Sequence, residues 1–99
     1  MNIMGAPIHK GKMKAKHILI DKYTKAQEIY EKVLNGASFE QMARQHSTCT
    51  SRNKGGSIGQ FSRNKVVKEF WNACKNLNIN EISEPVKSQF GYHIIKRTD

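Results

Sequence analysis

Two histidines near opposite ends of the chain lie in matching strand-like segments. His17 lies within KHILI (16–20), and His93 lies within FGYHIIK (90–96). The β-branched and apolar residues around each histidine are typical of β-strands. If these two strands pair as neighbours in a small sheet, the two imidazoles can meet at its centre and each can fix the tautomer of the other. A glycine- and serine-rich stretch with one cysteine, Cys49, lies between them in sequence.

Length and charge limit the classes of protein that the chain can form. Ninety-nine residues are enough for one domain with one modest core. The formal net charge is +9, from 17 Lys and Arg against 8 Asp and Glu, and such a balance favours anionic partners. The simpler interpretation, which we rank first, is solubility together with a basic N-terminal tail, because lysines alternate over residues 10–16.

The cysteines and the apolar segments indicate a cellular compartment. Cys49 and Cys74 are too few for the disulfide framework that a small secreted domain usually carries. Residues 1–13 lack the continuous apolar segment of a signal peptide, and no apolar run approaches transmembrane length. We therefore expect a cytoplasmic, reduced protein.

Motifs for metals and phosphates are missing from the sequence. The cysteines and histidines form no paired, short-range ligand pattern of the kind that binds zinc. The segment GGSIG (55–59) lacks the Lys-Ser/Thr ending of a phosphate-binding loop and is better interpreted as a tight entry to a strand. We expect no metal and no cofactor.

Hydrophobic periodicity predicts an α+β domain. Residues 1–13 are predicted to be a flexible basic tail, and a strand follows over 14–21. Helical spacing of apolar residues predicts a helix capped by Thr24 that stops at Gly36, a short helix capped by Ser38, and a third helix over 66–77. Strands are predicted over 57–61, 84–87 and 92–97, with Pro85 placing its strand at an edge or at its own start. This order is typical of a small sheet with helices on one or both faces.

Short segments throughout the chain resemble, in order and spacing, the parvulin family of peptidyl-prolyl cis/trans isomerases. They are KHIL (16–19), GASF (36–39), HS (46–47), GGSIG (55–59), Phe70, EPV (84–86) and FGYHII (90–95). The resemblance extends from about residue 14 to residue 99, and small single-domain bacterial and archaeal parvulins are the most similar members. It implies one domain over 14–99, with a four-stranded antiparallel sheet surrounded by about four helices in the order βαααβαββ. We expect a monomer.

The resemblance also implies which residues form the site. The family's two histidines correspond to His17 and His93, and its cysteine-or-aspartate position corresponds to Cys49. The pocket for proline corresponds to Ile58, Val66 and Phe70, with Gln60 and Ser88 at its edge. This chain departs from the family at two positions: Glu69 replaces a common proline, and Val66 replaces the pocket methionine. Both departures affect substrate preference more than activity.

The chemistry implied by the resemblance requires few reactive groups. An Xaa-Pro bond rotates slowly because its C–N bond has partial double-bond character. The twisted transition state loses that resonance and some charge separation, so a dry apolar slot favours it without a covalent step. His17 and His93 can then be either a structural pair or proton carriers, and Cys49 either a polar site group or an inert loop residue. Phe70 would be ordinary core if the resemblance did not place it in the pocket.

Two further expectations concern substrates and partners. The segment after the first strand contains Asp21 and Lys22 but no arginine, so we predict a folding helper for proline-containing polypeptides that is not specific for phosphorylated ones. The rival function is a non-catalytic basic module for nucleic acid or an anionic membrane, supported by the +9 charge. Weak electrostatic binding of this kind is compatible with catalysis.

Overall fold

The first and last strands of the chain pair at the centre of a four-stranded antiparallel sheet. The computed structural model describes residues 11–99. The strands are β1 (Lys12–Ile20), β2 (Ser57–Ser62), β3 (Val86–Ser88) and β4 (Gly91–Arg97). Their order across the sheet is β2-β1-β4-β3, so the two histidine-bearing strands are neighbours and β3, which follows Pro85, forms an edge. The predicted α+β fold with an antiparallel sheet is confirmed.

Three α-helices and two short 3-10 helices connect the strands. The α-helices are α1 (Tyr23–Leu34), α2 (Phe39–His46) and α3 (Lys68–Lys75), and the 3-10 helices span Thr50–Lys54 and Arg63–Lys65. Where a further α-helix was expected before β2, the chain forms the 3-10 helix Thr50–Lys54. Its threonine, serine and asparagine are poor helix formers, and Gly55, with a φ of 65°, ends it after five residues. Among the described residues, no helix has both the length and the apolarity needed to cross a bilayer.

Several predicted boundaries shift in the structure. β1 begins at Lys12, because the buried Met13 already pairs with Phe61 of β2. The first ten residues of the predicted tail lie outside the described residues. The Ser38 cap is confirmed, since its hydroxyl accepts a hydrogen bond from the Gln41 backbone N–H at 3.2 Å.

The predicted cap of α1 is wrong. The N-cap is Lys22, and no side chain caps the helix. Tyr23 forms the first residue of the helix, and its ring packs edge-to-face on Tyr92 with 5.5 Å between the ring centroids. The helix therefore begins one residue before Thr24, at Tyr23. Leu34, the last residue of α1, is 56% exposed.

Each face of the sheet carries its own apolar cluster. Side chains alternate along a strand, so Ile18, Ile20 and Ile94 face α1 and α2, whereas Met13, Ala15 and Ile95 face α3. α3 contributes Phe70 and Cys74 to the second cluster. The same alternation places the histidines on the α3 side of the sheet. The chain therefore places its two buried imidazoles beside the aromatic residues of α3.

Candidate active site

His17 and His93 meet on the α3 side of the central strand pair. Leu19 lies opposite His93 in the register, which makes the two histidines diagonal neighbours on one face. Their Nδ1 atoms are 3.1 Å apart, within hydrogen-bond distance. His17 is 6% exposed and His93 4%. The expectation that the two ends of the chain bring these imidazoles together is confirmed.

The hydrogen bonds of the pair extend to the turn between β3 and β4. Ser88 Oγ lies 2.7 Å from His93 Nε2 and accepts a hydrogen bond from the Phe90 backbone N–H at 3.1 Å. If the Ser88 hydroxyl donates to Nε2, then His93 Nδ1–H donates to His17. If Nε2–H donates to Ser88, the bond between the rings reverses its direction. Either way, the neutral tautomer of one ring fixes that of the other. Among the described residues, His17 Nε2 is buried without a partner.

Burial keeps both imidazoles neutral at neutral pH. Loss of solvation, together with a smaller effect of the neighbouring His93, lowers the pKa of His17 from 6.5 to about 4. Loss of solvation also lowers the pKa of His93, partly opposed by the negative charge of Glu69. A neutral, hydrogen-bonded pair in this setting is suited to holding a fixed geometry.

An apolar cleft of about 750 Å³ opens beside the histidines. Seven of the eight residues predicted for the site line it: His17, Cys49, Ile58, Gln60, Val66, Phe70 and His93. The eighth, Ser88, does not line the cleft but contacts His93 directly. The structure thus brings together residues from β1, β2, β4, α3 and the segment after α2.

Phe70 lies at the centre of the aromatic contacts under the cleft. Its ring meets His17, His93 and Phe61 edge-to-face, with centroid distances of 5.4, 5.6 and 5.5 Å. Edge-to-face contacts of this kind add to the stability that burial supplies. Phe70 is 2% exposed, so its ring is held in place by the residues around it. It therefore connects the histidine pair to the apolar wall.

Gly56 allows the strand that carries Ile58 and Gln60 to approach the histidines. A Cβ atom at Gly56 would lie 2.5 Å from the carbonyl oxygen of His17, which is too close for any other residue. The His17 N–H donates a hydrogen bond to the Gly56 carbonyl oxygen at 2.9 Å. The glycine-rich segment therefore acts as the tight strand entry that was predicted.

Ser47 fixes the segment that carries Cys49. Its side chain is buried, and Oγ accepts hydrogen bonds from the backbone N–H groups of Leu19 and Cys49 at 3.0 and 3.3 Å. The Thr48 N–H donates to the carbonyl oxygen of Leu19 at 2.8 Å. These bonds attach the segment to β1, two residues beyond His17. Sequence reasoning used Ser47 only as part of a motif and did not assign it this role.

The cleft also contains residues that sequence reasoning missed. They are Leu19, Phe61, Asn64, Lys65, Val67 and Phe90. Leu19 could have been found, because it follows His17 by two residues and therefore faces the same side of the strand. Phe90 belongs to the FGYHII motif and is 58% exposed in the turn between β3 and β4. An exposed aromatic ring beside a cleft is suited to contact an incoming chain.

Comparisons with known proteins agree with this geometry. Residues 8–99 match the family model described as rotamase, PPIC-type PPIase domain. The chain is 50% identical over 92 residues to foldase protein PrsA 1 of Bacillus cereus, covering 92% of this chain and 32% of that protein. The chain therefore spans about a third of the length of the curated relatives it matches.

Solved structures are similar as well. The crystal structure of peptidylprolyl isomerase PrsA from Bacillus anthracis superposes with a TM-score of 0.87 at 45% identity, covering 88% of this chain and 41% of that one. The solution structure of NmPin, the parvulin of Nitrosopumilus maritimus, gives a TM-score of 0.80 at 42% identity, covering 90% of this chain and 97% of that one. The second match is to a protein of about the same length.

Proposed function

Because the chain belongs to the parvulin-type family of peptidyl-prolyl isomerases, we propose that it is an enzyme that accelerates cis/trans rotation about Xaa-Pro bonds in polypeptides. The observation that carries the proposal is the apolar cleft. Phe70 lines this cleft, and its ring packs against both rings of the buried, hydrogen-bonded histidine pair. The substrate's pyrrolidine ring enters the slot formed by Ile58, Val66 and Phe70. The amide before it then lies towards Cys49 and Gln60 at the rim.

The apolar cleft favours the transition state over the ground state. The planar amide of the ground state has the larger charge separation and is better solvated by water. Moving the planar amide into a dry slot therefore costs it much of its solvation free energy, whereas the twisted amide, with its smaller charge separation, loses less solvation free energy. A thousandfold acceleration needs about 4 kcal/mol of preferential binding of the transition state. Apolar burial and a few hydrogen bonds are sufficient for this, and no atom of the substrate is transferred.

The histidine pair acts in this mechanism by holding the cleft in shape. Both rings are neutral near pH 7, and rotation about the bond consumes no proton. The pair links β1 to β4 and its two rings pack against Phe70. We therefore assign it a positioning role rather than proton transfer.

The proposal extends to partners and location. The substrates are proline-containing polypeptides, and the protein acts on them as a cytoplasmic monomer without phosphate specificity. Both described cysteines are free, which is consistent with a reducing compartment. Weak electrostatic binding to nucleic acid or anionic membrane accompanies the +9 charge. Fractionation of cells and light scattering of the purified chain test location and oligomeric state.

A peptide assay tests the activity itself. Purified protein should accelerate the exchange of a panel of Xaa-Pro peptides, and the rate should be unchanged by a chelator. If clean protein shows no acceleration, or if the chelator abolishes it, the proposed function or its mechanism is wrong.

A further inference from the structure

A second hollow, lined by polar and basic side chains, adjoins the cleft at Cys49. It has a volume of about 530 Å³ and lies between α2 and the 3-10 helix Thr50–Lys54. Its lining residues are Arg44, Thr48, Cys49, Thr50, Arg52 and Asn53. Cys49 lines both spaces, so a chain that occupies the cleft can extend into the hollow. We call this space the basic hollow.

Hydrogen bonds to the backbone of Arg44 hold the side chain of Arg52 in the basic hollow. Arg52 Nε and one of its terminal nitrogens donate to the backbone carbonyl oxygen of Arg44 at 3.1 and 2.7 Å. This fork holds the planar Arg52 guanidinium against the C-terminal part of α2. The Arg44 guanidinium lies near Gly55, where a Cβ atom would be 3.4 Å from its Nη2. The remaining N–H groups of both arginines are suited to bind an oxyanion.

Among the described residues, no carboxylate pairs with the arginines of the basic hollow, Arg44 and Arg52. Glu40, one helical turn before Arg44, is instead bound by Lys16, with Nζ 2.6 Å from Oε2. The hydrogen bond from Lys16 is the largest cause that lowers the pKa of Glu40, so this carboxylate is ionised and already paired at neutral pH.

We propose that the basic hollow binds an acidic side chain of the substrate, Asp or Glu, close in sequence to the isomerising proline. The inference rests on the proposed isomerase function. An extended chain advances about 3.3–3.6 Å per residue, so a residue one or two positions from the proline reaches beyond Cys49. There its carboxylate accepts hydrogen bonds from guanidinium groups and from the hydroxyl of Thr50. The basic hollow thereby selects substrates by local acidity.

Paired peptides test this inference. The value of kcat/KM is measured for peptides that differ only by Glu or Gln at each of the two positions before and after the proline. Because the arginines are exposed, we expect the Glu/Gln ratio to reach about two to five at one position in low salt. The Glu/Gln ratio should fall towards one when the NaCl concentration is raised about tenfold, to roughly 0.5 M, because salt screens exposed charges.

Variants locate the effect. Arg44→Gln should bring the ratio to about one, and Arg44→Lys should keep most of it. Arg52→Gln should give the same loss as Arg44→Gln. The control is Lys32→Gln, which changes the net charge equally on α1 but lines neither the cleft nor the basic hollow, and should keep the wild-type ratio. Circular dichroism establishes that each variant is folded.

The outcomes separate the two proposals. If the protein isomerises Gln peptides and the ratio is one at every position, the basic hollow does not bind acidic side chains and the isomerase function stands. If the ratio survives both Arg44→Gln and Arg52→Gln, the acidic residue binds elsewhere and the inference is wrong. If no peptide is isomerised, the function and the inference both fail.

Discussion

The contact between His17 and His93 joins residues that are 76 positions apart in the chain. Since both rings are buried, removal of one leaves the Nδ1 of the other without its partner. We expect His17→Ala and His93→Ala each to lower the free energy of unfolding by about 2–4 kcal/mol. The double variant should lose at least about 1 kcal/mol less than the sum. Denaturant unfolding measures all three values, and additive losses of rate at unchanged stability would show separate chemical roles.

The same pair should make stability depend on pH. An unfolded histidine has a pKa near 6.5, whereas burial lowers the pKa of His17 to about 4. Between these values the unfolded chain binds more protons, so stability is constant above about pH 7 and falls as the pH decreases towards 4. The full difference corresponds to about 3 kcal/mol for His17, and His93 acts in the same direction.

Chemical denaturation between pH 5 and 8 measures this dependence. The variant that lacks both imidazoles is the control, and its stability should change much less between pH 7 and 5. Imidazole NMR signals of His17 that titrate near pH 6.5 in the folded protein would contradict the account.

Cys49 should not form a covalent intermediate. Rotation about a bond requires no nucleophile, and the resemblance implies that the family accepts an acid at this position. We expect Cys49→Ser and Cys49→Asp to keep measurable activity, and mass spectrometry to detect no adduct between peptide and enzyme during turnover. A folded but inactive Cys49→Asp variant would instead support a nucleophilic thiol.

More of the site residues could be predicted from the sequence than of the residues that surround them. The histidines stand out because charged or polar groups within apolar strands need a partner, and the resemblance supplied the residues of the cleft. Leu19 and Phe61 were missed because an apolar residue beside a site looks like ordinary core in a sequence. Ser47 was missed as an anchor because its partner, the Leu19 N–H, is 28 residues away.

Among the elements of the fold, we expect the short link between β1 and α1 to decide phosphate selectivity. Only Asp21 and Lys22 separate Ile20 from Tyr23, and the link contains no guanidinium that could clamp a phosphate. We expect no strong preference for phosphoserine before proline. Kinetics on phosphoserine-Pro, Glu-Pro and Leu-Pro peptides at low and high salt measure this. A large phosphopeptide preference that persists in high salt would require a true phosphate site elsewhere, for example around Arg52, Lys54 and Arg63.

Element boundaries were predictable where local chemistry decides them. Ser38 caps α2 because its hydroxyl reaches an N–H three residues ahead. Val66, expected inside a helix, adopts extended backbone with φ −132° and ψ 161° and lines the cleft. The spacing of apolar residues is the same whether Val66 lies in the helix or precedes it in extended backbone. Helical spacing alone therefore could not distinguish these two conformations.

In the whole molecule, the site forms because the first and last strands of the chain, β1 and β4, pair at the centre of the sheet. β2, α3 and the segment after α2 complete the cleft around them. Alternation within each strand predicts which side chains share a face, but not which strands pair or in which register. The irregular register between Ala15 and Lys16, beside Gly56, was not predictable from the sequence.

We expect the preformed apolar cleft, built on Phe70, to accelerate rotation about the Xaa-Pro bond. NMR exchange spectroscopy of one Leu-Pro peptide observes cis and trans forms directly at equilibrium and requires no coupled protease. With the wild-type protein, exchange should be accelerated without any metal or cofactor. With Phe70→Ala, compared at a temperature where both proteins are folded, the acceleration should fall at least about tenfold, or about 1.4 kcal/mol. A folded Phe70→Ala variant with wild-type exchange would contradict the account and make Phe70 ordinary core.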